Sequence, residues 1–500
     1  MGFLMLAGIV VNNGILLIDT TNENRKSMPV EEALITVGKS RLLNMIKRTK
    51  TEKGNFKDGK ISSLILSQAV PLTLAQLVQV VYNIVDRIYL GHMPGADGGA
   101  ALTGVGLSFP VISLIAAFTN LFATGGAPLC AIARGRGAEG RALDIEVTTL
   151  AAQFINGVIC GVAFYLFQRP LLYMLGASDV TYTYASDYLS VYLLGTVFIT
   201  MGTGMNGFIN LQGYADRAML YMITGAAINL ILDPLFIFRF KMGVAGAAAA
   251  SVISQGIAFF LVLRFLFGKN AVIKISFGDL KHPKWRLLPE IMTLGLAGFI
   301  MSATNCVVQA VCNATLSIHG GDLYVGIMTI INSVREMISL PISGLTAGSQ
   351  PVISFNFGAG DNLRVKQGIR FMAMAGIGYT ALMWLLVMLF PTFFLTMFTS
   401  EEGIISAGKL PFMIYFSGFI FMSLQFMGQS SFVALGKAKQ SIFFSIFRKV
   451  IIVVPLTLLL PHIDGLSVLG VFLAEPISNL LGGLASFLTM YFTTYRKLTV

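Results

Sequence analysis

The sequence predicts an all-α membrane protein. Twelve transmembrane helices fall into two six-helix lobes related by a pseudo-twofold axis along the membrane normal, preceded by one extra N-terminal hydrophobic segment. Three observations predict this architecture: an apolar composition, basic residues in alternate connections, and an internal duplication.

Of the 500 residues, 55% are hydrophobic and 12% charged, with a mean hydropathy of +0.76. A soluble domain carries about a quarter charged residues. Apolar segments such as Ala247–Phe267 reach the roughly 20 residues a spanning helix needs. The expected spans, numbered 1 to 12, are 62–91, 101–132, 143–168, 182–210, 217–238 and 243–267, then 288–317, 323–353, 365–392, 404–433, 440–460 and 466–492. The longest polar connection, containing His282-Pro283-Lys284-Trp285, separates the halves. The chain thus divides into an appended segment and basic linker (1–60), a first lobe (61–268), a cytoplasmic linker (269–287) and a second lobe (288–500).

The net charge of +11 is distributed by topology. Connections after even spans are basic: Arg134, Arg136 and Arg141; Arg217; Lys269 to Arg286; Arg364, Lys366 and Arg370; Lys437 and Lys439; Arg496 and Lys497. Those after odd spans are poor in Lys and Arg, as the positive-inside rule requires if both ends of this region are cytoplasmic. The expectation is a multi-pass protein of the cell (inner or cytoplasmic) membrane with a cytoplasmic C-terminus, its partners the lipid bilayer and a small molecule rather than nucleic acid. The four cysteines sit in apolar segments without metal-ligand spacing, and the four histidines are scattered, which argues against disulfides and zinc.

A shift of 223 positions carries Gly125, Pro128, Gly135 and Gly137 onto Gly348, Pro351, Gly358 and Gly360, and Gly213 and Ala215 onto Gly436 and Ala438. One offset held over about ninety residues marks a duplication. An even number of spans per repeat gives both halves the same orientation, as in transporters that rock two bundles about a central site.

Intramembrane polar groups are costly and are functional candidates by default. In span 1, Gln76, Gln79, Asn83 and Asp86 follow a 3, 4, 3 spacing that puts them on one helix face. The alternative for Asp86 is a pair with the adjacent Arg87. Span 5 carries Asn229 and Asp233 four apart, followed by Pro234, which frees a backbone carbonyl; the alternative for Asp233 is a solvated helix end. Asn206 on span 4 and Ser251 on span 6 add neutral oxygens that could equally serve helix packing. Two carboxylates with amide and hydroxyl oxygens suit a proton or a hard cation, and Na⁺ would have Asp86, Asn229 and Asp233 as ligands. In the second lobe, Arg448 with Glu475 reads as a structural ion pair, and Arg335 with Glu336 as a local one. No phosphate loop or dinucleotide fingerprint is present, so no cofactor or enzymatic activity is expected and energy would come from an ion gradient, H⁺ or Na⁺.

Several motifs together carry a family resemblance: Val85-Asp86-Arg87-Ile88 with Gly91-His92, the stretch Asn229 to Asp233-Pro234, Gly243 to Gly246, and Gly348-Ser-Gln350-Pro351 through Asn356-Phe-Gly358. From about residue 61 onward the chain resembles the MATE (multidrug and toxic compound extrusion) family, nearest its DinF-like and MepA-like branch. The resemblance implies cation-coupled antiport by alternating access, exporting organic, cationic amphiphilic drugs or toxins, by a monomer. It implies that Asp86, Asn229 and Asp233 occupy the first-lobe cation and proton site, with Asn206 and Ser251 beside them, and that Pro71 permits bending of span 1. A glutamate found on span 7 in some members is replaced here by amides, Asn305 and Gln309. Gln79, Asn83, Met328, Phe426 and Met427 are candidate cavity-lining residues, the methionines and aromatics suiting promiscuous apolar cations. Alternatives from other classes are a flippase for a lipid-linked saccharide, which would need a strongly basic cavity, and a non-transporting membrane protein, against which the duplication argues. Residues 1–42 resemble instead a late helix and linker of the resistance-nodulation-division pumps, as a gene fusion or misjoined frame would produce.

Overall fold

The computed structural model describes residues 55–91, 93, 98–399 and 401–499. The extra hydrophobic segment near the N-terminus lies outside the described residues. Ten helices are long and apolar enough to cross a membrane, and two bent pairs bring the total to twelve spans. No strand occurs among the described residues.

The first lobe comprises span 1 (Ile61–Gly91), span 2 (Thr103–Gly135), span 3 (Glu139–Met174), a broken span 4 (Asp179–Leu194 with Thr196–Leu211, bent by 59°), span 5 (Ala215–Arg239) and span 6 (Gly243–Leu266). The second comprises span 7 (Trp285–Gly321), span 8 (Leu323–Gly358), span 9 (Asn362–Leu389), a broken span 10 (Glu402–Phe416 with Phe419–Ala434, bent by 42°), span 11 (Ala438–His462) and span 12 (Val468–Tyr495). Between the lobes, the backbone N–H and hydroxyl of Ser276 donate to Asp279 at 2.8 and 2.7 Å, which holds that carboxyl below the usual range.

The repeat offset reappears in three dimensions. Gly137 and Gly360 turn the chain after spans 2 and 8 at φ 73° and 75°; Gly213 and Gly436 do the same after spans 4 and 10 at 85° and 69°. Side-chain-bearing residues avoid that region. The breaks in spans 4 and 10 fall at Gly195 and Gly418, again 223 apart.

The lobes meet in reciprocal contacts. A Cβ on Gly135 of span 2 would collide with the Phe355 carbonyl of span 8, and one on Gly358 with the Ile132 carbonyl of span 2. Gly125 and Gly295 also face each other's backbone where spans 2 and 7 cross, a close approach that the repeat offset does not relate. Contacts in which i meets j and j′ meets i′ identify a twofold axis between the elements.

Span 1 belongs to both lobes. Its N-terminal half supplies Ile61, Ile65 and Ala69 to the second-lobe core, with Phe56 just before it. Its C-terminal half packs on span 5. Arg364, at the start of span 9, fastens the near end: it donates to the carbonyls of Phe56 and Gly59 and to Asn356 Oδ1, each at 3.0 Å.

Candidate functional site

Asp86, Asn229 and Asp233 are 8%, 2% and 1% exposed and converge between spans 1, 5 and 6. One helical turn separates Asn229 from Asp233, so the amide donates to Asp233 Oδ1 at 3.1 Å. The same Nδ2 reaches Ser251 Oγ across the span 5–span 6 contact at 3.3 Å. The Asp86 and Asp233 carboxyls are within hydrogen-bonding reach of each other. Pro234 follows, lacking the N–H that would close the ladder, and the next residues, Leu235–Arg239, continue as a π-helix. Such widened turns occur often at functional sites.

An aromatic and amide wall surrounds this pair. Gln79 donates to the Tyr82 hydroxyl at 2.6 Å, and Gln255 and Tyr188 lie near Tyr82 and Ser251 respectively. Tyr188 stacks on Tyr192 with ring centroids 5.9 Å apart. The Asn229 Oδ1 atom is buried with no hydrogen-bond partner, as is Asn206 Oδ1 on span 4. A buried amide oxygen left unpaired costs about 1–3 kcal/mol, so Asn229 Oδ1 is open to a ligand beside the two carboxyls. The oxygen set is of the kind a proton or a small hard cation uses. Among the described residues no three His, Cys, Asp or Glu side chains gather as a metal cluster would.

The other expected residues are placed as follows. Asn206 is buried, but no hydrogen bond among the described residues joins it to the Asp86–Asp233 pair. Pro71 sits within the unbroken span 1 helix, between the half packed on the second lobe and the half bearing Asp86. Gln79 is half-buried and Asn83 exposed. Met427 is fully buried in the second-lobe core, Phe426 packs against that core, and Met328 borders a separate second-lobe cavity.

In that lobe Arg448 and Glu475 form the expected ion pair at 3.0 Å, and Arg448 also bonds to Asn479. Lys449, which the sequence reading passed over, joins Glu475 at 3.5 Å. The expected Arg335–Glu336 pair is absent: Glu336 is exposed, while Arg335 borders the cavity. Neighbours on a helix point about 100° apart, and here the two fall on different sides. Tyr82, Tyr188 and Gln255 were also missed. Helical spacing from Asp86 and Ser251 was an available signal for Tyr82 and Gln255; for Tyr188 there was none.

A family model described as MatE matches residues 71–235 and 298–459, one stretch per lobe. The chain belongs to the MatE family. Among curated relatives, the multidrug export protein MepA of Staphylococcus haemolyticus (strain JCSC1435) is 24% identical over 451 residues, covering 89% of this chain and 96% of the relative. MepA of Staphylococcus aureus (strain MRSA252) is 24% identical over 443 residues, covering 87% and 95%. Among solved structures, the outward-facing conformation of a multidrug resistance MATE family transporter superposes with a TM-score of 0.84 at 23% identity, covering 90% of this chain and 99% of that one. A MATE protein in the bent conformation gives 0.82 at 24% identity, covering 88% and 97%. The twelve-span, two-lobe plan is therefore that of the MatE transporters.

Proposed function

We propose that this MatE protein exports organic compounds, drugs or toxins, in exchange for inward-moving H⁺ or Na⁺. The carrying observation is the Asp86–Asp233 pair, buried between spans 1 and 5 with Asn229 and Ser251 as its polar neighbours. Two carboxyls this close cannot both carry unbalanced charge in a low dielectric. A proton or a cation taken up between them relieves that repulsion. Asn229 Oδ1, which has no partner, is available as a further ligand for Na⁺.

Uptake acts on a helix with two attachments. Asp86 rides on the span 1 half that packs against span 5, and the other half is packed into the second lobe. Neutralising the pair favours one disposition of span 1, and Pro71 is where the helix gives most easily. The ion must bind the two access states with different affinity, since otherwise it shifts nothing. The names of the MepA relatives support drug export as the task. The charge pattern of the connections supports a cytoplasmic-membrane protein with its C-terminus inside. The working unit is a monomer, since both lobes needed to enclose a central path lie in one chain.

The test is ethidium extrusion from membrane vesicles under imposed pH or Na⁺ gradients. Asp86→Asn and Asp233→Asn should each abolish gradient-driven export while leaving the protein in the membrane. The gradient that drives the unsubstituted protein names the ion. Export unaffected by either substitution overturns the coupling site, and export driven by neither gradient overturns antiport.

A further inference from the structure

The repeat offset carries Asp86 to Gln309 and Ser251 to Ala474, and both of these line a second-lobe cavity of about 120 Å³. The second lobe therefore keeps a cavity where the first has its acid pair, but with the opposite charge. Arg335 and Lys449 line it beside Glu475, and Arg448 lies behind Glu475. Three basic side chains thus lie about a single carboxylate, which pairs with two of them.

The surplus has a definite location. Arg448 and Lys449 both bind the same oxygen of Glu475, so that carboxylate is already committed. Arg335 has no ion pair among the described residues, and its Nε is buried without a hydrogen-bond partner. Its sequence neighbour Glu336 is exposed and does not line the cavity. Arg335 as a whole is half-buried, and its buried Nε–H has no acceptor, so a donor is left for a group that enters the cavity. An ionisable group held inside a membrane bundle points to an ionic ligand. Local construction favours retention of the cluster: the π-helix Phe447–Val453 buries consecutive Arg448 and Lys449, and Gly482 leaves room for Arg448, since a Cβ there would lie 2.7 Å from its Cγ. Amide and hydroxyl groups of Asn305, Gln309, Tyr415 and Thr457 complete the wall with further donors.

We propose that this cavity binds an oxyanion group, a carboxylate or phosphate, of an organic solute, with Arg335 as its principal partner. The site's place in export rests on the exporter reading above: the solutes exported then include anions and zwitterions, their negative end in the second lobe.

The experiment titrates the full chain in nanodiscs with benzoate, phenyl phosphate and the neutral isostere benzamide, by calorimetry. At least one anion should bind about tenfold or more tightly than benzamide, as expected for a desolvated charge-assisted contact. The tighter of the two identifies the oxyanion. Arg335→Gln should bring the ratio to near one, and Arg335→Lys should retain most of it. Equal binding of all three probes by the unsubstituted protein, or an unchanged ratio in Arg335→Gln, overturns the proposal. No gradient enters this measurement. If vesicles show no driven export but the ratio stands, the exporter reading falls and the anion site remains.

Discussion

Replacing Arg364 by Ala should loosen the start of span 1 and little else. Its guanidinium makes three hydrogen bonds of 3.0 Å, to Phe56 O, Gly59 O and Asn356 Oδ1. They are not equal in worth. The Gly59 bond is exposed, so water takes over that acceptor at little cost. The other two are partly buried, and Phe56 O keeps a second bond from Asn356 Nδ2 at 3.2 Å. Allowing about 1 kcal/mol for each partly buried bond gives a loss of about 2 kcal/mol, or roughly a 30-fold rise in the local opening equilibrium. Hydrogen–deuterium exchange of the reconstituted protein reads this directly. Amides of residues 61–65 should exchange roughly 30-fold faster, with spans 3 and 5 unchanged. Arg364→Lys should fall between, since an ammonium cannot span acceptors that a planar fork reaches. Unchanged exchange at the start of span 1, or acceleration spread evenly over both lobes, would refute the reasoning.

Two further outcomes follow from charge and burial. Glu475→Ala leaves Arg448 and Lys449 buried without their shared counter-charge; loss of such a partner typically costs about 3–5 kcal/mol, and a sharply lowered midpoint of thermal unfolding in detergent is the check. By contrast, Arg141–Glu290 is a 2.9 Å pair with side chains 48% and 45% exposed. Arg141→Ala should therefore shift stability by less than about 1 kcal/mol, measured in the same melt.

The backbone plan was legible because it depends on features that sequence displays openly: apolar length, the placement of basic residues, and glycines held at one offset. The acid pair was legible because carboxyls inside apolar helices are rare enough to stand out. Its surroundings were not. Tyr188 looks like an ordinary core aromatic until the packing of spans 4 and 6 brings it near Ser251, and the Gln79–Tyr82 bond, one turn apart on span 1, gains meaning only beside the acid pair. Arg335 was misassigned because adjacency in sequence suggests pairing, while the helix sends Glu336 elsewhere. Lys449 escaped notice because a lysine beside an arginine reads as a solvated basic pair, whereas here both are buried on one π-helical segment. That π-helix leaves no mark in residue type.

The seam between the lobes constrains how such a protein can diverge. Gly135 rests on Phe355 and Gly358 on Ile132, each half serving as the other's mould. After duplication, a side chain gained at either glycine would have jammed a joint that both copies need, so neither copy was at liberty to drift there. Lobe interiors were under no such mutual obligation. One can hold acids while the other holds bases, and the molecule still closes along the same line. Heredity is thus recorded in the joint, and specialisation in the chambers on either side.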